Sequence, residues 1–303
     1  MNTIQLLGAF ELGLIYSLVA LGVYLSFRTL NFPDLSIDGS FPLGAAVAGS
    51  GILFGLSPVV ATFLAMFAGA AAGYVTAFMA TRLKMLNLLA GIITMTALYS
   101  INLRIMGRPN LALLGEKTIS TQLTYFVTNV LGLPQAAVEH VNLIALVVVI
   151  ILVILALEWL LKTRLGLALR SIGSNPRMAR SIGINDDRMV QTGLALSNAL
   201  VALAGALFAQ VYGFADVSMG VGTIIIGLAA VIIGEALFHA QNIAKALIAC
   251  VMGAIIYRLS VAFALNATEL GLQASDLNLV TALIVAFAMI LPTIKRSLKR
   301  GDK

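Results

Sequence analysis

The sequence predicts an all-α, polytopic transmembrane helical bundle. Three observations predict it. Of 303 residues, 60% are hydrophobic and only 11% are charged, against roughly 25% charged in an ordinary soluble domain. Mean hydropathy is +1.01. Charge-free runs are long enough to cross a bilayer: 43 residues separate Asp38 from Arg82, and 27 separate Arg188 from Asp216. Such a chain lacks the polar surface of a soluble enzyme, a nucleic-acid-binding domain or a disordered segment. The single cysteine, Cys250, excludes an intrachain disulfide, and two distant histidines, His140 and His239, make no metal site.

A membrane helix needs about 20 largely apolar residues, because lipid offers open backbone groups no partners. That places spans near 6–27, 40–55, 58–81, 87–106, 142–162, 190–212, 218–238, 243–265 and 277–294, nine in all. Gly55-Leu56-Ser57-Pro58 marks the turn between the second and third. The second is short, so it either crosses tilted or re-enters. Residues 1–10 carry no Lys or Arg, so the first span reads as a permanent helix and not a cleavable signal.

Basic residues orient the chain. With nine spans, 15 of the 19 Lys and Arg fall on one side, in the loops around Arg28, Arg82, 162–188, Lys245 and 295–303. Cytoplasmic loops collect Lys and Arg, which puts the N-terminus outside and the C-terminus inside. The pI near 9.6 is then a mark of topology, with no nucleic-acid partner implied.

The longest cytoplasmic connection, 162–188, carries six basic and two acidic residues. Asn175 can cap a helix whose first residue is Pro176, and Gly183 stands where a helix ends. The order Thr163-Arg164-x-Gly166, then Arg170-x-x-Gly173-x-Asn175-x-x-x-Ala179-x-x-x-Gly183-Ile184, resembles the cytoplasmic coupling loop of ATP-binding-cassette (ABC) importer permeases, nearest the branched-chain amino acid and ribose permease family. Leu30-Asn31-Phe32 with Asp38-Gly39-Ser40, and Gly227 to Gly234, resemble further segments of that family. Leu98 to Asn110 resembles a subgroup associated with binding proteins for aromatic amino acids or related small solutes. Ser171, Pro176 and Arg180 depart from the family's usual residues, which bears on the docking contacts.

The resemblance implies one permease domain, 1–303, moving a small polar, amino acid-like solute across the inner membrane by alternating access. It implies a separate cytoplasmic ABC ATPase, an extracytoplasmic solute-binding protein and a second permease copy, as a homodimer. Coupling to the ATPase falls to Arg170, Gly173, Asn175, Ala179 and Gly183. The chain binds no cofactor; ATP is used by the partner. A phosphate loop needs G-x-x-x-x-G-K-[ST], and Gly115-Glu116-Lys117-Thr118 does not supply it. The competing reading is an ion-gradient-driven secondary transporter, which needs an acidic relay at mid-membrane; Glu11 and Glu235 lie near opposite faces.

Polar residues within spans are costly and usually paired or cavity-facing. Glu11, Asp38, Thr94, Thr96, Asn102 and Asn198 are the candidates for a translocation path. Glu158 is placed to pair with Lys162, Glu235 to brace the bundle or act at a gate, and Arg258 to pair with Glu269 or Asp276. Asp34 to Pro42 reads as a helix start, either an ordinary cap or an interrupted helix end near the solute. The external connection, 107–141, holds an amphipathic stretch from Thr118 to Leu133 that either meets the binding protein or lies on the surface.

Overall fold

The computed structural model describes residues 3–130, 135–238 and 242–266, with Ala282, Leu283 and Ala286. Its long helices are α1 (Thr3–Val23), α2 (Ile37–Leu53), α3 (Pro58–Thr81), α4 (Asn87–Met106), α6 (Gln135–Lys162), α9 (Asp186–Tyr212), α10 (Thr223–Leu237) and α11 (Ile243–Asn266). Shorter helices α5 (Ile119–Tyr125), α7 (Arg164–Ser174) and α8 (Pro176–Ser181) lie in the connections. Strands β1 (Asn110–Ala112) and β2 (Phe214–Asp216) pair antiparallel, Leu111 opposite Ala215. Among the described residues, six helices are long and apolar enough to cross a membrane, and α2 and α10 are shorter apolar helices. The expected span 277–294 falls almost wholly outside the described residues.

α9 is the axis of the bundle. Its side chains are buried through most of its length, and small residues let three helices close on it. A Cβ on Gly69 or Gly73 of α3 would meet the Asn198 or Leu194 carbonyl within 2.5 Å. One on Gly44 of α2 would overlap the Ala202 carbonyl, and one on Gly22 of α1 would lie 2.8 Å from Ser197 O. The Gly69-x-x-x-Gly73 pattern therefore serves packing within the chain. Large apolar side chains such as Phe63, Phe67, Ile151, Leu155 and Trp159 cover the outside of α3 and α6, as a lipid solvent requires.

The directions of α2 and α10 follow from their neighbours. Ser40 meets Asn198 and Gly44 meets Ala202, so α2 runs parallel to α9. Gly227 meets Val23 and Glu235 meets Arg28, so α10 runs parallel to α1. α1 and α9 are antiparallel, with Gly22 beside Ser197 and Gly8 beside Tyr212. α2 and α10 therefore run apart from a shared starting level. At 17 and 15 residues they are about 25 and 22 Å long, each short of the ~30 Å hydrocarbon core. The expected span 218–238 begins later than the sequence suggests, because residues 218–222 form turns. Gly222 there has φ +81°, a left-handed conformation suited to glycine.

Candidate functional site

The connection 162–188 folds as two helices. Asn175 Oδ1 accepts the Met178 N–H at 3.1 Å and Pro176 is the first residue of α8, as their order predicts. Gly183 ends the unit with φ +86°. α7 was not expected; it starts at Thr163, whose hydroxyl accepts the Gly166 N–H. Its Leu169 clusters with Leu30, Phe32, Ala77 and Leu194, near the end of α3 and the start of α9.

Each proposed coupling residue has a distinct setting. Ala179 is 1% exposed, the buried residue of α8. Gly173 touches the π-helical turn Tyr24–Thr29, which continues α1, so closely that a Cβ would overlap the Thr29 carbonyl. Arg170 is exposed beside a cavity of about 720 Å³ lined by Tyr24, Arg28, Thr29 and Ser171. Arg180 pairs with Asp186 at 3.3 Å, and Arg82 reaches Asp187 at 3.8 Å, so the acidic first turn of α9 ties α8 to α9 and α3. Sequence reading missed Met178 and Ile182, one helical turn apart, 57% and 63% exposed. Their signal was an i, i+4 apolar pair among arginines.

The second centre lies where α2 and α10 begin. Asp38, in the first turn of α2, accepts the N–H groups of Gly222 at 3.1 Å and Ile224 at 2.7 Å. It thereby caps α10, whose own N-cap, Gly222, has no side chain. A Cβ on Gly220 would overlap the Asp38 carbonyl. The buried Thr223 hydroxyl at this junction has no hydrogen-bond partner among the described residues. Gly220-x-Gly222 ahead of an apolar run was the available signal for the break.

A buried network supports the junction from the α9 side. Asp34 accepts the Ser36 N–H at 2.9 Å and the Asn198 side-chain amide at 2.7 Å, and Ser40 donates to Asn198 Oδ1 at 2.6 Å. All four side chains are buried, so the carboxylate has the donors that burial demands. Asn102 adds a contact from α4, donating to Gly39 O at 3.2 Å. Of the proposed path residues, Asp38, Asn102 and Asn198 therefore converge on the start of α2. Thr94 bonds Thr76 between α3 and α4. Thr96 is exposed and bonds back to Ile92 O. Glu11 stands apart, in the first half of α1 and near Tyr212 at the end of α9.

Elsewhere Glu158 pairs with Lys162, and Glu235 with Arg28 at 2.7 Å. Glu269 and Asp276, expected beside Arg258, lie outside the described residues. Between α4 and α6, Thr118 caps α5 and a π-helical turn, Phe126–Val130, continues it. Burial would raise the Asp216 carboxyl beside β2, but the Ser218 hydroxyl and N–H and the Asn110 amide hold it below its ordinary value.

The family model described as branched-chain amino acid transport system / permease component matches residues 5–293. The chain belongs to this permease family. A tyrosine transport system permease protein of Clostridioides difficile is 40% identical over 95% of this chain and 92% of its own. An uncharacterised protein of Rickettsia prowazekii is 35% identical over 98% of this chain and 99% of its own. The fold is also that of a chain in the PsaBC structure from Streptococcus pneumoniae, with a TM-score of 0.51 over 95% of this chain and 91% of that one at 15% identity. The permease is thus a multi-pass membrane protein and the permease component of an ABC transport system. In this permease Gly115 makes a turn with φ +86° ahead of the α5 cap, so that stretch has a local structural role.

Proposed function

We propose that the chain is the translocating subunit of an importer for an aromatic amino acid, working by alternating access. The α7–α8 unit carries this reading: Ala179 is buried in it, Arg180 pairs it with Asp186 of α9, and it presents Met178 and Ile182 outward. Such a unit suits a groove in a separate ABC ATPase, whose hydrolysis acts only through contacts that differ between two states. Arg170, Gly173, Asn175, Ala179 and Gly183 shape it. The tyrosine transport relative supports the solute. Asp38, Asn102 and Asn198 hold the junction that solute must pass, Thr94 ties α4 to α3 through Thr76, and Glu11 and Thr96 stand apart from it. Interrupted helices with ends at the midplane suit such a role.

In this reading the chain is one domain of nine spans, N-terminus outside and C-terminus inside, in the bacterial inner membrane. It works as a homodimer, with 107–141 facing the extracytoplasmic solute-binding protein and 162–188 facing the ATPase. The test is uptake of labelled tyrosine into proteoliposomes holding the permease, its ATPase and its binding protein. Accumulation that needs enclosed ATP supports the proposal. Accumulation without ATP that collapses with the proton gradient overturns it, in favour of an ion-gradient-driven secondary transporter.

A further inference from the structure

The cavity beside Arg170 lies at the level where three membrane-crossing helices stop or start. The stretches Gln5–Thr29 and His140–Lys162, each long and apolar enough to cross, end there, and Ile243–Ala264 begins there. Thr29, Leu161 and Ile243 all line the cavity. By length alone, that level is the boundary between hydrocarbon and headgroups. A volume of about 720 Å³ falls within the roughly 300–1,000 Å³ of small-molecule sites.

The walls are tightly built. Gly173 of α7 packs on the Thr29 carbonyl. The π-helical turn Tyr24–Thr29 closes with the Leu30 N–H on Leu25 O at 3.1 Å and the Phe32 N–H on Ser26 O at 2.9 Å. Between these two bonds, Asn31 lines the cavity with φ +54°, in the left-handed region. Single π turns and left-handed non-glycine residues recur at functional sites and ligand clamps.

Charge converges on the same space. Tyr24 stands within electrostatic reach of both Arg28 and Arg170, and all three side chains line the cavity. Arg28 donates through Nε to Glu235 of α10 at 2.7 Å. That carboxylate orients Arg28 and balances one of the two positive charges; Arg170 supplies the other. Ser174, exposed at the end of α7, adds a hydroxyl. Phe27 and Leu167, 37% and 54% exposed, bring apolar surface to the same cavity.

We infer that this cavity seats a phosphate group between Arg28 and Arg170, carried by an anionic phospholipid or free in solution. Guanidinium forks match phosphate oxygens through paired N–H bonds. Basic pockets between helices at a membrane face take anionic headgroups, and Phe27 and Leu167 suit the glycerol and first methylenes of a lipid. The inference is independent of the solute carried.

Native mass spectrometry of the full-length permease, delipidated in detergent without its ATPase, reads the site apart from any coupling role of Arg170. Phosphatidylglycerol should be retained at least fivefold over phosphatidylcholine at equal concentration. Arg28→Gln with Arg170→Gln should bring the two lipids level. Ser174→Glu keeps both arginines and the Arg28–Glu235 pair while adding a carboxylate to the wall, so the same loss in this variant belongs to the site and not to misfolding. Inorganic phosphate is the second arm. A higher melting temperature in phosphate than in chloride at matched ionic strength, absent from the double variant and without a phosphatidylglycerol preference, assigns the phosphate to solution. A phosphatidylglycerol preference that survives both the double variant and Ser174→Glu overturns the inference, as does a wild type that responds to neither probe.

Discussion

The Asp38 carboxylate holds the backbone N–H of Ile224 at 2.7 Å across a sequence separation of 184 residues to Gly222 and 186 to Ile224. A side chain from one half-span thus completes the amino end of the other. Replacing Asp38 by Ala leaves two donors without their acceptor in a mostly buried setting, at a cost of about 1–3 kcal/mol each. Asp38→Ala is expected to lower the melting temperature in detergent by several degrees and abolish uptake. Asp38→Asn, which keeps one acceptor, should fall between; a melting curve equal to wild type for Asp38→Ala would remove the cap from the account.

Gly173→Ala places a methyl group on the Thr29 carbonyl. Overpacking of this kind costs about 1–3 kcal/mol, and α7 must lift from α1. The expected outcome is ATP hydrolysis by the assembled complex that persists while tyrosine uptake falls at least tenfold. Measuring both activities on one preparation checks it.

Met178→Asp with Ile182→Asp alters two exposed side chains, so folding should be unaffected within about 0.5 kcal/mol. Co-purification of the ATPase should be lost. Unchanged co-purification would move the docking surface off α8.

Much of the bundle was legible in the sequence, and the reasons are physical. Charge-free length announces a span, and the Asn175-Pro176 pair announces a helix start because one supplies an acceptor and the other lacks a donor. Hydropathy alone misses other features. The late start of α10 is hidden from it because Val217, Met219 and Val221 are as apolar as a helix, and only Gly220 and Gly222 mark the break. The convergence of Asp38, Asn102 and Asn198 depends on tertiary contacts between residues far apart in sequence, which no local pattern carries. Thr96 illustrates the converse: a polar residue in a span that satisfies itself on its own helix and faces outward.

Asn198→Leu removes the amide that Asp34 accepts and the carbonyl that Ser40 donates to. Loss of a hydrogen bond to a charged, buried partner costs about 1.5–3 kcal/mol. Thermal denaturation should show the drop. Asp34→Asn introduced in the same chain should recover part of it, because that side chain then no longer requires the donor that Asn198 supplied.

Asp216 is held below its ordinary value by Ser218 and Asn110, so its contribution to the β1–β2 pair is present at neutral pH. It is lost as pH falls through the lowered value, beginning below about pH 4. The group is largely open to solvent, so the effect is small. Hydrogen exchange at the amides of Leu111 and Leu113, which face β2, should be level from pH 7 to 5 after correction for intrinsic rates. Faster correction-adjusted exchange should emerge only under acid conditions.

α9 is a rod of 27 residues, about 40 Å from end to end. Asp186, its first residue, pairs with Arg180, Tyr212 is its last residue, and Asn198 bonds Asp34 and Ser40 near the middle. Under the proposed alternating-access cycle, a strut held near its middle turns a push at one end into an opposite swing at the other.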